Sequence, residues 1–169
     1  MTKIVRSTYH PDHYSCKFAY CKEGTHTLHR EDGPALELSY NEKRWYINGL
    51  LHREDGPAIE IPNGDELWYR HGELHREDGP AFTCHNPKKT EWYLYGKRHR
   101  IGGPAVEYKN CKSWYIFGKL HRDDGPAYID EKEVSWWFNG EIYQKEEWLE
   151  LIPEEERLAM LYSEYFIGR

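Results

Sequence analysis

The stretch Leu28-His29-Arg30-Glu31-Asp32-Gly33-Pro34-Ala35 decides the fold, because this octet occurs five times in a chain of 169 residues. Two later copies are identical to the first, one has Asp123 in place of the glutamate, and one is altered. The copies lie at 28–35, 51–58, 74–81, 98–105 and 120–127, so that their histidines are 23, 23, 24 and 22 residues apart. A fixed period of this length is typical of a repeat architecture.

A second motif, the aromatic pentad Trp-Tyr-x-x-Gly, alternates with the octet. It occupies 45–49, 68–72, 92–96 and 114–118, and returns as Trp-Trp-Phe-Asn-Gly at 136–140. Aromatic and β-branched residues favour strands, and the closing glycine favours a turn. A further strand-like run follows each Pro-Ala, as at 59–61. One repeat is therefore predicted to be a β-hairpin: strand, glycine turn, octet loop and strand, followed by a loose polar link.

We predict a mainly β protein, an array of β-hairpin repeats forming an elongated antiparallel sheet, with a short helical cap at its carboxyl end. The array spans 1–140 and begins with an irregular lead-in arm at 1–15. The cap spans 141–169, with a short helix at 143–151 and a second helical stripe at Leu158, Leu161, Tyr162 and Tyr165. The repeats lie near 16–40, 41–63, 64–87, 88–109 and 110–131, with a last strand at 132–140.

The cap has two interpretations. It could cover the last hairpin, whose edge strand would otherwise be open to pairing with other chains. Alternatively, it could dock a partner.

Alternation along the strands predicts two different sheet faces. Trp45 and Ile47 share one face, whereas Tyr46 points to the other, and the same holds in the later repeats. One face should therefore hold a buried tryptophan stripe and the other should be mixed and wet, as in an antiparallel sheet with one solvated side.

The octet itself has a mechanical interpretation. Each of its glycines precedes proline, where ordinary residues are confined to extended angles and glycine is not. The aspartates can bond loop N–H groups, the arginines can pair with an aspartate of the same or the next repeat, and the histidines can bridge to the backbone. Residues copied in every repeat are expected to be scaffold.

Composition narrows the functional classes. The net charge is −6 and 15% of the residues are aromatic. Eight acids and three bases lie in 141–169, so the chain lacks a basic field for duplex nucleic acid. No apolar run approaches the length of a membrane span, and the amino terminus lacks the apolar segment of a signal peptide. We expect a soluble, cytoplasmic protein.

The four cysteines have no framework spacing and are expected to be reduced thiols. Cys16 and Cys21 with His10 and His13 could hold a metal in principle, but the C-x4-C spacing is not a strong zinc pattern. We expect no metal and no cofactor.

The alternation of the pentad with Leu-His-Arg-x-Asp-Gly-Pro-Ala over 16–140 resembles short hairpin repeats of bacteriophages and other large DNA viruses. Those repeats are distantly similar to MORN-type repeats, which form elongated single sheets that serve as binding platforms or spacers. The resemblance implies a viral origin, in which case the compartment is the cytoplasm of the infected cell, and it implies no enzyme activity. The fourth octet departs from the pattern at Arg98, Ile101 and Gly102.

The sequence contains no nucleophile elbow, phosphate loop or HExxH motif, so we predict a protein that is not an enzyme. The favoured interpretation is a phage accessory factor that docks on a host protein and inhibits it, with counter-defence as its role. A second is a sponge for an anionic signalling nucleotide, held by aromatic and arginine side chains between repeats. A structural or assembly role and self-association remain open.

Function is sought where the repeats differ, and the fourth octet differs most. Its loop is basic, is flanked by tyrosines, and has glycine in place of the loop-folding aspartate. Tyr93 and Tyr95 are expected to share a strand face because they are two residues apart. Drift in a tolerant repeat is the alternative. The candidate partner-binding residues are Tyr93, Tyr95, Lys97, Arg98, His99, Arg100 and Tyr115.

Overall fold

The computed structural model of the protein describes residues 4–7 and 16–158, with side chains from 16 onward. Most of the expected lead-in arm, including His10 and His13, lies outside the described residues. So do Leu161, Tyr162 and Tyr165 of the expected helical stripe. The chain divides into two compact units, Met1–Gly96 and Lys97–Arg169.

The first unit contains an antiparallel sheet whose strands, after the first two, follow a Pro-Ala or precede a pentad. Neighbouring strands pair in register, for example Ile59 with Leu67 and Phe82 with Glu91. In order across the sheet the strands are β1 Ile4–Ser7, β2 Cys16–Lys22, β3 Leu36–Leu38, β4 Lys43–Arg44, β7 Ile59–Glu60, β8 Glu66–Leu67, β11 Phe82–His85 and β12 Lys88–Glu91.

The pentads form separate two-stranded ribbons. In the first unit β5 Tyr46–Ile47 pairs with β6 Leu50–Leu51, and β9 Tyr69–Arg70 pairs with β10 Glu73–Leu74. The strand β13 Tyr93–Leu94 leads into the turn at Gly96. In the first ribbon Asn48 and Gly49 have φ values of 52° and 81°. Two consecutive positive φ values characterise the type I′ turn, whose twist matches that of paired strands.

Each regular repeat therefore contributes to two hairpins, a pentad ribbon and a sheet hairpin, where the sequence predicted one. The expected loose polar link is the turn of the sheet hairpin, and its polar flanks are strands. Lys88–Glu91, for example, pairs along its whole length with Phe82–His85. The prediction of a mainly β, antiparallel hairpin array is confirmed.

The second unit repeats this pattern. It begins with β14 Lys97–Arg98, and its ribbon pairs β17 Tyr115–Ile116 with β18 Lys119–Leu120. Its antiparallel sheet has the order β15 Val106–Tyr108, β16 Cys111–Ser113, β19 Tyr128–Ile129, β20 Val134–Phe138 and β21 Glu141–Tyr143.

Among the described residues, helix appears only after the last strand. The short α1 Lys145–Leu149 is followed by a second helix at 154–158. The sequence placed helix from 143, but Glu141–Tyr143 pairs with β20 as a strand. Within residues 16–158, no helix has the length and apolar character needed to cross a bilayer.

The α1 helix covers the last hairpin. Trp148 is fully buried, and its ring centroid lies 4.6 Å from that of Trp136 on β20. Its Nε1 donates to the Arg122 carbonyl at 3.1 Å. This packing corresponds to the first of the two interpretations of the cap, a lid on the final hairpin.

Within each unit, the recurring residue that is most deeply buried is the octet alanine and not the pentad tryptophan. The last residue of every octet is 0% exposed: Ala35, Ala58, Ala81, Ala105 and Ala127. The pentad tryptophans and the tyrosines that follow them are all half-buried. The expected tryptophan stripe with a wet tyrosine face is therefore wrong. The backbone N–H of Trp45 donates to the Ala58 carbonyl at 2.8 Å, so the two residues are paired through the main chain although only the alanine is fully buried.

Candidate functional site

The octet histidines bridge successive repeats. Each Nδ1 accepts a hydrogen bond from the backbone N–H of the first turn residue in the next pentad. The donors and acceptors are Asn48 and His29 at 3.0 Å, His71 and His52 at 3.1 Å, Tyr95 and His75 at 3.2 Å, Phe117 and His99 at 3.3 Å, and Asn139 and His121 at 3.1 Å. Because Nδ1 accepts, the neutral ring carries its proton on Nε2. The sequence predicted this bridging role.

The backbone on either side of each histidine bonds to the same neighbour. The octet arginine N–H donates to the carbonyl of the second pentad residue, as Arg53 does to Tyr69 at 3.1 Å. The pentad glycine N–H donates back to the first octet residue, as Gly72 does to Leu51 at 2.8 Å. Equivalent pairs recur in both units, so the octet and the following pentad are held by three bonds.

The octet arginine stacks on an aromatic ring of its own repeat. The Cζ of Arg53 lies 4.1 Å from the Trp45 ring centroid, and Arg76 and Arg122 lie 3.9 and 4.0 Å from Trp68 and Trp114. Such contacts contribute about 0.5–1 kcal/mol at exposed sites.

The same guanidinium binds within its own loop. Arg53 Nε donates to Asp55 at 3.0 Å and its Nη1 donates to the Pro57 carbonyl at 3.2 Å. Where the sequence left the pairing partner open, the structure places it in the same repeat.

The octet glycine leaves space for the folded-back arginine side chain. A Cβ on Gly56 would lie 2.6 Å from Arg53 Cζ, and at the other octet glycines the distance to the arginine Cζ is 2.7–3.0 Å. None of these five glycines has a φ in the left-handed region. The predicted reason, conformational freedom before proline, is therefore not the one that the structure supports.

Several octet pKa values shift as these contacts require. The hydrogen bond from the neighbouring arginine lowers the pKa of Asp32, Asp55 and Asp78. Burial lowers the pKa of His52 and His99 because it disfavours the charged ring. In the second octet, where both shifts occur, a neutral His52 is therefore favoured beside an ionised Arg53–Asp55 pair.

The fourth octet keeps the histidine bridge and the bond from its arginine to the proline carbonyl, but Gly102 provides no carboxylate for the Arg–Asp pair of the other octets. His99 accepts from Phe117, and Arg100 donates to the Pro104 carbonyl and to Glu107, both at 3.0 Å. Among the candidate residues of the second unit, His99 and Arg100 thus have structural partners. Arg98 is half-buried with its Cζ 5.5 Å from the Tyr115 ring, and Lys97 is exposed.

The loop of this octet nevertheless differs in backbone. Gly102 has a φ of +74°, whereas the aspartates at the equivalent positions have no φ in the left-handed region. Ile101, in place of glutamate, is largely exposed. Restoring aspartate at Gly102 would strain this backbone, so the departure from the octet pattern has a conformational component.

Tyr93 and Tyr95 lie in the first unit and do not share a strand face. Tyr93 belongs to β13, is half-buried, and donates its hydroxyl to Glu91 at 2.7 Å. Tyr95 is the first residue of the turn, with a φ of 48°. Its ring is 61% exposed and its centroid lies 4.5 Å from that of His75.

Phe117 is the residue that the sequence reasoning missed. It occupies the equivalent turn position in the second unit, has a φ of 45°, and is 55% exposed. Its ring stacks on His99 with centroids 4.2 Å apart. The signal was in the sequence, since the fourth pentad position holds Asn48 and Asn139 in two repeats and large aromatic residues in others.

Clefts separate successive octets within each unit, but their charges are balanced or acidic. Two arginines and four acids line the cleft between the first two octets, and three of each line the next one. In the second unit two arginines face two aspartates. This balance does not favour the polyanionic nucleotide of the sponge interpretation, because its charge would meet carboxylates at every rim.

Compared with known proteins, the chain matches no family model and no curated sequence.

Proposed function

We propose that the chain is a non-enzymatic binding protein that docks on another protein through exposed aromatic residues at its ribbon turns. Tyr95 in the first unit and Phe117 in the second carry the proposal. Both are large, exposed and held at positive φ. Such a conformation costs a bulky residue on the order of 1–3 kcal/mol.

Turn formation does not account for these aromatics. Asn48 and Asn139 occupy the same position and make the same N–H bond to a histidine Nδ1. Asparagine tolerates the left-handed region well, so it is the residue that the turn alone would favour. Strain maintained at an exposed aromatic is typical of a surface that binds, because such rings dominate protein interfaces.

The octets supply the scaffold for the ribbon turn in each unit. Their histidines, arginines and aspartates are the groups that could do acid–base chemistry, and they are engaged with one another and with the backbone. This engagement supports a structural role for the repeated residues and leaves binding to the positions that vary.

The resemblance of the octets to bacteriophage repeats extends the proposal to a partner. We infer a phage accessory factor that acts in the cytoplasm of the infected cell and inhibits a host protein by occluding it. Counter-defence is the role that this origin favours.

The test uses the asparagine of the sibling repeats. Tyr95→Asn and Phe117→Asn, alone and together, should leave the circular dichroism spectrum close to that of the parent protein and should keep or raise the thermal midpoint, because asparagine relieves the backbone strain. Partners of the parent protein are identified by crosslinking in host lysate, and their affinity for each variant is measured by calorimetry with the purified partner. We expect the double variant to lose binding by at least about a hundredfold, as removal of two interface aromatics does.

A control separates the turns from the fourth octet. Arg98→Leu with Ile101→Glu restores the octet pattern while leaving Gly102 unstrained, and we expect it to retain binding. Unchanged affinity in the double turn variant would contradict the proposal, and loss in the octet variant alone would return the site to the fourth loop.

A further inference from the structure

The cleft between the second and third octets differs chemically from its siblings. It lies within the first unit and has a volume of about 220 Å³. Two nitrogen donors in its lining, Trp68 Nε1 and His75 Nε2, are buried and have no hydrogen-bond partner among the described residues. Buried donors without an acceptor are rare because they lose their hydration without replacement.

The tautomer of the His75 ring follows from its bond to the scaffold. Its Nδ1 accepts from the Tyr95 N–H at 3.2 Å, so Nε2 carries the ring proton and is a donor. The side chain is only 5% exposed. Its unused N–H therefore requires an acceptor that enters the cleft.

A cation adjoins the two donors. Arg70 occupies the third pentad position, where the sibling repeats have Ile47, Leu94, Ile116 and Phe138. Its guanidinium lines the same cleft. The arginines of the two octets are also present, but each binds the aspartate of its own loop. Arg70 is therefore the charge that distinguishes this cleft.

The position of Glu77 indicates which kind of chemical group the two donors and Arg70 would bind. Its Oε1 lies 3.4 Å from His75 Nε2 and 3.8 Å from Arg70 Nη1. This contact with His75 is not a hydrogen bond, because Nε2 has no hydrogen-bond partner among the described residues. The Glu77 side chain is also 70% exposed. A carboxylate thus stands at the mouth of the cleft without satisfying the donors inside it.

We propose that this cleft binds a carboxylate group, which accepts from Trp68 Nε1 and His75 Nε2 and is neutralised by Arg70. Glu77 competes for the same groups and swings outward when the ligand enters. The volume is smaller than that of a drug-sized pocket, about 300 Å³ or more, so it suits a carboxylate on a short stem. Either a free small acid or an acidic side chain of a protein could supply this group.

Nuclear magnetic resonance on the full-length, ¹⁵N-labelled protein tests the site. Sodium acetate is titrated against sodium chloride at equal ionic strength, and the Trp68 indole and His75 Nε2–H signals are followed. We expect saturable shifts of these two signals and none at Trp45. Arg70→Ile, the residue of a sibling repeat, should weaken binding about tenfold, since it removes a charge-assisted hydrogen bond. Glu77→Gln should strengthen it.

A second arm distinguishes the two sources of the carboxylate. A short peptide with blocked ends and one glutamate is compared with its glutamine counterpart. Saturation by acetate supports a small acid, and saturation by the glutamate peptide alone supports a protein side chain. If neither probe shifts the two signals in the parent protein or in Glu77→Gln, or if Arg70→Ile binds as well as the parent, the proposal is overturned.

Discussion

At the scale of the residue, the octet is organised around its arginine. The guanidinium stacks on an aromatic ring, binds the aspartate two positions later and the proline carbonyl four positions later, and occupies the space that a Cβ on the glycine between them would need. The recurrence of Arg-x-Asp-Gly-Pro is thereby explained as one set of contacts.

Gly56→Ala should destabilise the first unit by about 1–3 kcal/mol, because the new methyl group displaces Arg53 from Trp45 and from Asp55. Urea denaturation measures the cost. Gly103→Ala, where the Cβ-to-Cζ distance is 3.0 Å instead of 2.6 Å, should cost less.

An Arg53→Ala background provides the control for this prediction. If the contact with the guanidinium causes the destabilisation, Gly56→Ala should lower the free energy of unfolding clearly less in the Arg53→Ala background. The difference between the two backgrounds is the coupling energy of a double-mutant cycle. An equal cost in both backgrounds would show that the backbone, not the arginine, requires glycine.

Sequence analysis predicted the contacts of single residues correctly where the partners are set by the side chain itself or lie close by in the sequence. The histidine bridge follows from ring geometry, and the arginine lies two residues from its aspartate. The glycine was misread because proline beside it offered a sufficient local reason, whereas the actual neighbour, the folded-back guanidinium of Arg53, is visible only in three dimensions. Phe117 was missed because turn conformation was not assigned to its position.

At the scale of the element, each repeat uses very short strands. Lys43–Arg44 and Glu66–Leu67 have two residues each, too few to show alternation, and their polar residues resemble a linker. Their strand identity comes from pairing with Ile59–Glu60. For this reason the sequence predicted the fold class and the period but merged two hairpins into one.

The α1 helix contributes stability through one side chain. Trp148→Ala should cost the second unit about 3–5 kcal/mol, as large core truncations do, and guanidinium denaturation measures it. Leu151→Ala, at an exposed position of the same segment, should change stability by less than about 0.5 kcal/mol. Trp114→Ala should fall between them because that ring is only half-buried. Equal costs for the two tryptophans would contradict the alanine-centred core.

At the scale of the whole molecule, the titratable groups of the octets act together. Asp32, Asp55 and Asp78 have lowered pKa values, so their contribution to stability is present above the ordinary value of 3.8 and is lost as the pH falls through the lowered values. His52 and His99 also have lowered values. Their rings stay neutral in the fold while those of the unfolded chain take up protons below the ordinary value of 6.5.

The lowered pKa values of the aspartates and of the two histidines therefore both predict that the fold loses stability as the pH falls. Thermal midpoints measured from pH 8 to pH 3 at constant ionic strength should decline in two stages, the first below about pH 6.5 and the second below about pH 3.8. His99→Gln should reduce the first decline and leave the second unchanged. A midpoint that rises between pH 7 and pH 5.5 would contradict the lowered histidine values.

The three bonds that join each octet to the following pentad have a consequence for the history of the gene. Every repeat presents the same donors and acceptors to its successor, so a junction created by duplicating or deleting 22–24 residues is chemically the same as the junction that it replaces. The number of repeats can thus change in single genetic steps, without intermediates that expose unpaired backbone and without compensating mutations.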